Sequence, residues 1–469
     1  MLFNSYGFIL LFLPIVLGIA GCLRGQRLLA WVTVASFVFY AFAGHVWFLA
    51  PMLFTTVLDY LLAPRMARAS SPARKRALLV LSLCGNLGLL AYFKYSGLLA
   101  HSAHWIYAAL GGASQSPAWL RLFDVILPAG ISFYTFQTLS YMIDVYRGVC
   151  PPERNFLKFA GFVSFFPHLV AGPLTRHNEL IPQLSRIAER GIEPRWRAGV
   201  FLFAVGLCKK VLIADRIAQI IDPIIDEGQR FGMTGAWIAM LGYAVQIYFD
   251  FSGYSDMAIG LGRLFGIELP QNFDSPYQAT SPSDFWRRWH ITLSRWLRDY
   301  LYISLGGNRC SPARRQLNLI ATMVLGGLWH GANWTFAAWG LFHGLLLVLY
   351  HSTQNRWDRM PLALQRGVTF LLVCVGWVFF RARSFEHAAR WFGALVGLEG
   401  VRGPTSTIHL LGGAAIISLA LVIANFTRNA SKSSALPELG SARQVALGLA
   451  TAMALVFMSY SSKFLYFQF

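Results

Sequence analysis

Charged residues are scarce in this sequence of 469 residues, in which Asp, Glu, Lys and Arg together make up only 13%. A soluble globular domain carries about 25% charged residues, so the composition excludes an ordinary soluble fold. Hydrophobic residues account for 56% of the chain, and the mean hydropathy is +0.49. We therefore expect an all-α integral membrane protein that crosses the bilayer many times.

Acidic residues are particularly few. The chain has 21 Asp and Glu and 40 Lys and Arg, which gives a net charge of +19. In a polytopic membrane protein, positive charge collects in cytoplasmic loops and meets anionic lipid there. We therefore expect membrane lipids, and no nucleic acid, as partners of this charge. The same basic loops are suited to attract a phosphorylated cytosolic ligand.

Several motifs of soluble enzymes are also missing. The six cysteines form no C-x-x-C pair, so the sequence predicts neither a zinc site nor a disulfide framework, and we expect no metal. There is no Walker A loop, no G-x-S-x-G elbow, no H-E-x-x-H and no H-x4-D. The pair Gly260-Leu-Gly262 is followed by Gly266, one residue too late for a dinucleotide-binding motif.

Apolar runs fill most of the chain, and a bilayer core of about 30 Å needs roughly 20 apolar residues in a helix. We expect about eleven true spans, with some runs kinked or re-entrant because they are short or contain Gly and Pro. The first run, Tyr6 to Cys22, follows no Lys or Arg, which favours a retained span over a cleaved signal peptide. The candidate spans lie at 6–23, 28–46, 48–63, 77–99, 121–143, 156–174, 197–221, 235–261, 317–329, 334–351, 366–380, 408–426 and 444–462.

Lys and Arg also predict the orientation. The loop from Pro64 to Arg76 has five basic residues and no acid, so we expect it in the cytoplasm and, counting back, the N-terminus in the periplasm. The stretch from Arg263 to Arg315 carries eight arginines against four acids and is expected in the cytoplasm too. The run 156–174 is broken by Pro167 and Pro173, so we expect it to dip into the membrane without a simple crossing.

An amphipathic stretch runs from Phe285 to Tyr300. On a helix of about 100° per residue, its aromatic and apolar residues share one face with His290, which predicts a single helix lying in the interface. Ser281 and Asp284 ahead of it supply a helix start. By composition alone, the favoured interpretation is an anchor whose histidine hydrogen-bonds a neighbour. The opposite face carries Arg287, Arg288, Thr292, Arg295, Arg298 and Asp299.

A second histidine, His330, follows the apolar run from Leu317 to Leu328. An ionisable group at that depth costs a few kcal/mol, so it usually has a function or a partner. One interpretation is a structural histidine that ties two helices together. The other is a general base on a hydroxyl, because an imidazole titrates near neutral pH and the glycines and tryptophans around it can form a pocket.

Two carboxylates, Asp250 and Asp256, lie in or beside an apolar segment and need partners there. An internal ion pair is slightly favoured, with Arg263 or a histidine as the partner. The functional alternative is that Asp250 orients His330 or His290, as in a catalytic triad. Weaker candidates are His343, Asn333 and Lys209-Lys210, whereas His101 and His104 are expected to be surface residues of an external loop with no carboxylate nearby.

These segments together resemble the membrane-bound O-acyltransferase (MBOAT) family, in particular its bacterial branch of alginate O-acetylation membrane subunits, which is related to the teichoic-acid D-alanyl transfer protein. The resemblance covers nearly the whole chain and is densest over residues 248–332, and it implies a single membrane domain over 1–469. The opening Phe3-Asn-Ser, the segment Phe166–Pro173 and the ending Tyr466–Phe469 fit this branch too. The motifs that carry it are Asp250–Asp256, Asn272–Tyr277, Ser283–His290, Ser294–Tyr302, Gly306–Arg309 and Gly326–Ala332.

The resemblance implies a ring of helices around a central funnel, with His330 as the key histidine and His290 as the second polar site. It also implies transfer of acetyl groups from cytosolic acetyl-CoA across the bacterial inner membrane to an envelope polysaccharide, often through a periplasmic acetyltransferase partner. We expect Arg287, Arg288 or Arg295 to bind the CoA phosphates. Asp250, Asn333, Trp329 and Trp289 are expected to orient groups or to line the path.

Two other classes stay open at this point. A transporter or channel also uses intramembrane His and Asp, although the paired half-repeats that many transporters show are not visible in this sequence. A membrane scaffold that only recruits an extracytoplasmic acetyltransferase is the second alternative.

Overall fold

The computed structural model describes residues 1–112, 117–226, 231–401, 403, 407–427, 429, 440–460 and 465. Within these residues the chain is helical and has no strand, which confirms the all-α prediction. The α-helices are α1 Leu13–Cys22, α2 Gly25–Ala41, α3 Leu49–Ala67, α4 Pro72–Leu90, α5 Ser96–Ala109, α6 Ile131–Arg147, α7 Phe156–Ser164, α8 Phe166–Leu169, α9 His177–Arg190, α10 Trp196–Cys208, α11 Asp215–Asp226, α12 Gly232–Leu264, α13 Pro282–Arg288, α14 Ile291–Trp296, α15 Pro312–His330, α16 Trp334–Trp357, α17 Leu362–Arg381, α18 Phe385–Leu395, α19 Thr407–Phe426 and α20 Ser441–Phe457.

Four helical segments of the described chain are long and apolar enough to cross a membrane by length and composition: Val46–Ala67, Pro72–Ala109, Leu362–Arg381 and His409–Phe426. Others are shorter, or carry too much polarity along their length. The prediction of a multi-pass membrane protein therefore agrees with the structure, whereas the count of about eleven spans stays a prediction.

The chain forms two compact units, residues 1–196 with 261–270, and residues 197–260 with 271–469. In the first unit, the run 156–174 is divided into the short helices α7 and α8, which are separated by Phe165. Pro167 lies in the first turn of α8. The break that was expected from the prolines is therefore present. The prediction of one domain over 1–469 stays a prediction.

The second unit is built around a close antiparallel pair, α15 and α16. Each helix begins at a side-chain cap, because Ser311 accepts a hydrogen bond from the Arg314 N–H and Asn333 accepts one from the Thr335 N–H. A methyl group on Gly327 would collide with the Phe336 carbonyl oxygen. This glycine therefore serves close helix packing rather than an open space for substrate.

The segment from Phe285 to Tyr300 is not the single helix that its periodicity predicts. It divides into α13 and α14, because Trp289 is extended and His290 has a left-handed backbone with φ of 42°. The predicted helix start is correct, since the Ser281 hydroxyl accepts a hydrogen bond from the Asp284 N–H at 3.1 Å. The break redirects the chain at the residue that was expected to carry chemistry.

Candidate active site

Long-range backbone pairing holds the break at His290. The Ile291 N–H donates to the Asn272 carbonyl at 2.9 Å, and the Asp274 N–H donates to the Arg288 carbonyl at 2.9 Å. A left-handed conformation is unfavourable for a histidine and persists only where the surroundings impose it. The loop that contains Asn272 is therefore the element that places the His290 ring.

The Asn272 side chain also determines which nitrogen of His290 carries the hydrogen. Its Oδ1 lies 3.1 Å from His290 Nδ1 and accepts hydrogen bonds from the Thr292 N–H at 3.3 Å and the Thr292 hydroxyl at 2.9 Å. An amide oxygen only accepts, and the Thr292 N–H assigns this atom as the oxygen. His290 is thus held with hydrogen on Nδ1 and a lone pair on Nε2.

His290 and His330 are brought together in the second unit. Their ring centroids are 6.2 Å apart, and the two rings are 0% and 5% exposed. Trp329 is buried and its ring lies 6.0 Å from the His290 ring, whereas its expected role along the path stays a prediction. The sequence prediction that these two histidines form one site is consistent with this placement, and their chemical roles stay predictions.

His330 is the last residue of α15 and is surrounded by aromatic rings. Trp339 lies edge-on to it at 5.2 Å, and Phe380 lies at 5.2 Å. These contacts make the site dry, which strengthens any hydrogen bond or charge interaction made there.

A cavity of about 690 Å³ lies at the other end of α15. Its lining includes Arg315 near the start of that helix, and at 1.5 Å per residue Arg315 is roughly 22 Å from His330 along the axis. The lining residues are Ser283, Trp286, Arg287, Ile291, Ser294, Arg295, Leu297, Arg298, Tyr302, Asn308, Arg315, Leu319, Thr322, Met323, Leu347 and His351.

Neither histidine lines this cavity, although Ile291, the residue after His290, does. The contact route between the cavity and His330 consists of rings. Trp286 lines the cavity and lies 5.7 Å from Trp339, which in turn contacts His330. His343 packs against both tryptophans, at 5.2 Å and 4.9 Å. We call Trp286, Trp339 and His343 the aromatic wall.

The cavity contains two of the three arginines that were expected to bind CoA phosphates, and that role stays a prediction. Arg287 and Arg295 line it. Arg288 is not among the lining residues, and its guanidinium pairs with Asp284, one helical turn earlier, at 3.0 Å. The role of Arg288 in binding phosphate stays a prediction.

Four further polar residues of the cavity were not singled out as ligand-binding residues: Arg298, Tyr302, Asn308 and Arg315. Arg298 lies on the same cationic face as Arg287 and Arg295, so the helical pattern contained the signal for it. Asn308 and Arg315 come from the next loop and helix, and their approach depends on tertiary structure. The Tyr302 hydroxyl donates to Asn308 Oδ1 at 2.7 Å, which orders this edge of the cavity.

Asp250 has a different partner from the ones expected. Its carboxylate pairs with Lys210 at 2.7 Å and accepts a hydrogen bond from the Leu465 N–H at 2.9 Å. Lys210 also pairs with Asp215 at 2.7 Å. The favoured ion pair is confirmed, with Lys210 in place of Arg263 or a histidine, and the alternative that Asp250 orients His290 or His330 is not what the structure shows.

Asp256 forms a second internal ion pair, with Lys209 at 2.6 Å. Lys209 and Lys210 therefore neutralise carboxylates of α12 and are not directed toward the cavity. Burying a pair costs desolvation, and removing one partner leaves an unpaired charge inside the protein. These residues hold α12 in place.

Two other expected path residues have structural roles. Asn333 caps α16 and donates to the Arg383 carbonyl at 2.9 Å, so its side chain is engaged in joining helix ends. Trp289 is buried, stacks on Phe285 at 5.6 Å and contacts Trp377 at 4.9 Å. Both support the site from outside the cavity.

His101 belongs to α5 rather than to a loop, and its Nε2 lies 3.1 Å from Asp124. The expectation of no carboxylate nearby was wrong, because Asp124 is distant in sequence. Both side chains are about half exposed, so the expected surface location is correct. Within the described ranges, no group of three or more His, Cys, Asp or Glu side chains has the arrangement of a metal site.

A model of the membrane-bound O-acyltransferase family matches residues 151–386. The chain is 44% identical over 401 residues to a probable alginate O-acetylase, AlgI, of Pseudomonas aeruginosa, a match covering 84% of this chain and 75% of that protein. It is 39% identical over 437 residues to a peptidoglycan O-acetyltransferase of Helicobacter pylori, covering 86% and 81%.

A more distant similarity connects the chain to a teichoic acid D-alanyltransferase of Bacillus subtilis. The two are 25% identical over 276 residues, which cover 55% of this chain and 69% of that protein. Both histidines and the cavity residues lie inside the stretch 151–386 that the family model matches.

Proposed function

Because this chain belongs to the membrane-bound O-acyltransferase family, we propose that it transfers acetyl groups to hydroxyls of an envelope or extracellular polysaccharide. Family membership makes it a multi-pass membrane O-acyltransferase. Acetyl as the acyl group and a polysaccharide as the final acceptor are supported by the similarity to alginate and peptidoglycan O-acetylating proteins. An alginate-like polymer is the acceptor we favour.

The proposed donor is acetyl-CoA, held from the cytoplasmic side. Four exposed arginines, Arg287, Arg295, Arg298 and Arg315, line one cavity of about 690 Å³, and the Arg298 guanidinium also pairs with Asp299 at 2.6 Å. Guanidinium groups bind phosphates through charge-assisted, often bidentate hydrogen bonds. The diphosphate and 3′-phosphate of CoA match this positive charge. The apolar residues that line the same cavity suit the arm of CoA that carries the thioester.

In the proposed chemistry, His330 takes the proton from the acceptor hydroxyl or carries the acyl group briefly. His290 has its Nε2 lone pair fixed by Asn272, so it is suited to accept a hydrogen bond from the hydroxyl or from His330. A general base contributes about 10²–10⁴-fold to the rate. Positioning of donor and acceptor must supply much of the remaining acceleration.

The proposed direction of transfer is outward across the bacterial inner membrane. The arginine-rich cavity lies in the stretch that the charge pattern assigns to the cytoplasm, and His330 lies at the opposite end of α15. In this orientation the N-terminus is periplasmic, and a periplasmic acetyltransferase partner receives the acetyl group and delivers it to the polysaccharide.

The observation that carries this proposal is one helix, α15, with cavity arginine Arg315 near its start and the paired histidine His330 at its end. The test is release of CoA from acetyl-CoA by the purified protein, with and without alginate oligomers or the periplasmic partner. His330→Ala should abolish turnover while the protein stays folded. Normal turnover by folded His330→Ala, or none by wild type under any of these conditions, would refute the proposal.

A further inference from the structure

Three buried nitrogen atoms of the aromatic wall have no hydrogen-bond partner within the described part of the chain: Nε1 of Trp286, Nε1 of Trp339 and Nε2 of His343. Trp339 and His343 are each 1% exposed, and Trp286 is half-buried with its Nε1 fully covered. A buried N–H without a partner is costly, so a ligand that brings an acceptor to it gains free energy. Here the three nitrogen atoms lie on side chains that touch one another.

Their location connects them with the reaction. Trp286 lines the arginine-rich cavity, and Trp339 lies 5.2 Å from the His330 ring. The two indoles therefore connect the lining of the cavity with the His330 ring through direct ring contacts. The unpartnered nitrogen atoms therefore lie between the arginine-rich cavity and His330.

The chemistry of an indole limits the ligand. Its N–H is only a donor, so the matching group is an acceptor. A carbonyl oxygen has two lone pairs and can accept from both indoles at once. A permanently charged anion is a poor match, because the surrounding rings make the site dry and would leave the charge poorly solvated. A neutral carbonyl enters without that cost and gains charge only during the reaction.

The His343 ring is held in place beside this pair. It stacks on Phe285 at 6.1 Å with an interplanar angle of 12°. Its Nε2 faces the backbone of Gly376, where an added Cβ would lie only 2.8 Å away. The missing side chain at position 376 leaves the imidazole room to stay against both tryptophans, so it fixes their separation.

We propose that Trp286 and Trp339 form a subsite that binds the carbonyl oxygen of the acyl thioester, with His343 as the residue that positions both indoles. This inference rests on the proposed function and names the groups that hold its reacting atom. The two N–H groups donate to the carbonyl oxygen and stabilise the negative charge that develops on it during transfer.

The step balances as follows. The oxygen of the acceptor hydroxyl bonds to the carbonyl carbon, and its proton passes to the imidazole of His330. The tetrahedral oxyanion is held by the two indole N–H groups. The carbon–sulfur bond then breaks, the sulfur takes the proton from His330, and an ester and a free thiol leave the site.

The test measures kcat and KM for acetyl-CoA in the full-length protein after replacing single indoles by β-(3-benzothienyl)alanine, which puts sulfur in place of the N–H. Trp339 is expected to show the larger loss, about 10²-fold in kcat with little change in KM. Trp286 is expected to lose kcat and also to raise KM, because it lines the cavity. His343→Phe is expected to lower kcat without removing either donor.

Trp391 is the matched control, because it is fully buried and its Nε1 donates to the Ala236 carbonyl at 3.1 Å, outside the wall. The same replacement there should lower the melting temperature and leave kcat unchanged. Unchanged kcat in both wall variants, with wild-type protein active, would overturn the subsite alone. Wild-type protein that never releases CoA would overturn the proposed function and the subsite with it.

Discussion

Asn272→Asp is the sharpest test of how the site is prepared for chemistry. The aspartate keeps the size of the side chain and an oxygen 3.1 Å from His290 Nδ1, so the backbone break at His290 should persist. A carboxylate at this position favours the imidazolium form, which carries hydrogen on both nitrogens. The Nε2 lone pair is then lost, and we expect kcat to fall about tenfold or more at neutral pH.

The contribution of Asn272 to the stability of the fold follows from its hydrogen bonds. Its Oδ1 accepts from His290 Nδ1, from the Thr292 N–H and from the Thr292 hydroxyl. Asn272→Leu leaves these donors buried without an acceptor, at about 1–3 kcal/mol each. Because the hydroxyl can turn to another acceptor, two donors stay unsatisfied and we expect a loss of roughly 2–6 kcal/mol in unfolding free energy, whereas Asn272→Asp keeps an acceptor for both.

The assay is the pH dependence of kcat for acetyl-CoA turnover, with the melting temperature measured in parallel. Raising the pH removes the extra proton from His290 in the Asn272→Asp protein and restores the lone pair, so its activity should recover as pH rises. Asn155→Asp is the control, because Asn155 caps α7 and aspartate caps a helix equally well. A wild-type pH profile in folded Asn272→Asp would refute the tautomer argument.

Three further predictions use the same purified protein. Arg295→Gln and Arg315→Gln should each raise KM for acetyl-CoA about tenfold, because each removes one charge-assisted hydrogen bond to a phosphate. Arg309 lies outside the cavity lining, so Arg309→Gln should leave KM unchanged. Equal KM values in all three variants would contradict the phosphate site. Gly327→Ala should lower the unfolding free energy by about 1–3 kcal/mol or more, because the added methyl group forces α15 and α16 apart. Gly448 has open space around it, so Gly448→Ala should not destabilise the protein. A Gly327→Ala melting temperature equal to that of wild type would disprove the packing argument. Lys210→Met should lower the unfolding free energy by about 3–5 kcal/mol, because it leaves two buried carboxylates without their cation. Adding Asp250→Asn to the same protein should recover part of that loss in a denaturation assay. Full stability of Lys210→Met would show that the ion pair is dispensable.

The amphipathic stretch shows what periodicity can predict and where it stops. The helical wheel correctly placed Trp289 and His290 on the buried side and Arg287, Arg295 and Arg298 on the exposed side. It could not show the break at His290, because that break is imposed by hydrogen bonds to Asn272 and Asp274, which belong to a separate loop. Local pattern determines which face is buried, and distant partners decide where the helix ends.

Ion pairs likewise divide into those that the local sequence indicates and those that depend on tertiary structure. The Asp284–Arg288 pair is four residues apart, so the helical spacing that brings the two side chains together is visible in the sequence. The pairing of Asp250 with Lys210 joins α12 to the segment after α10 and depends on how those helices pack. Arg315 was likewise invisible as a cavity residue, since nothing in its neighbourhood along the chain connects it with Arg287.

The closed aromatic wall is better understood as part of the function than as an obstacle to it. A permanent opening between the arginine-rich cavity and His330 would admit water to the thioester and let it be hydrolysed instead of transferred. The packed rings of Trp286 and Trp339 exclude that water. When a donor moves between the rings, their unpartnered N–H groups gain an acceptor. In the proposed subsite, binding of the acyl carbonyl gives these two N–H groups an acceptor, so the same contact that holds the acyl group also activates it.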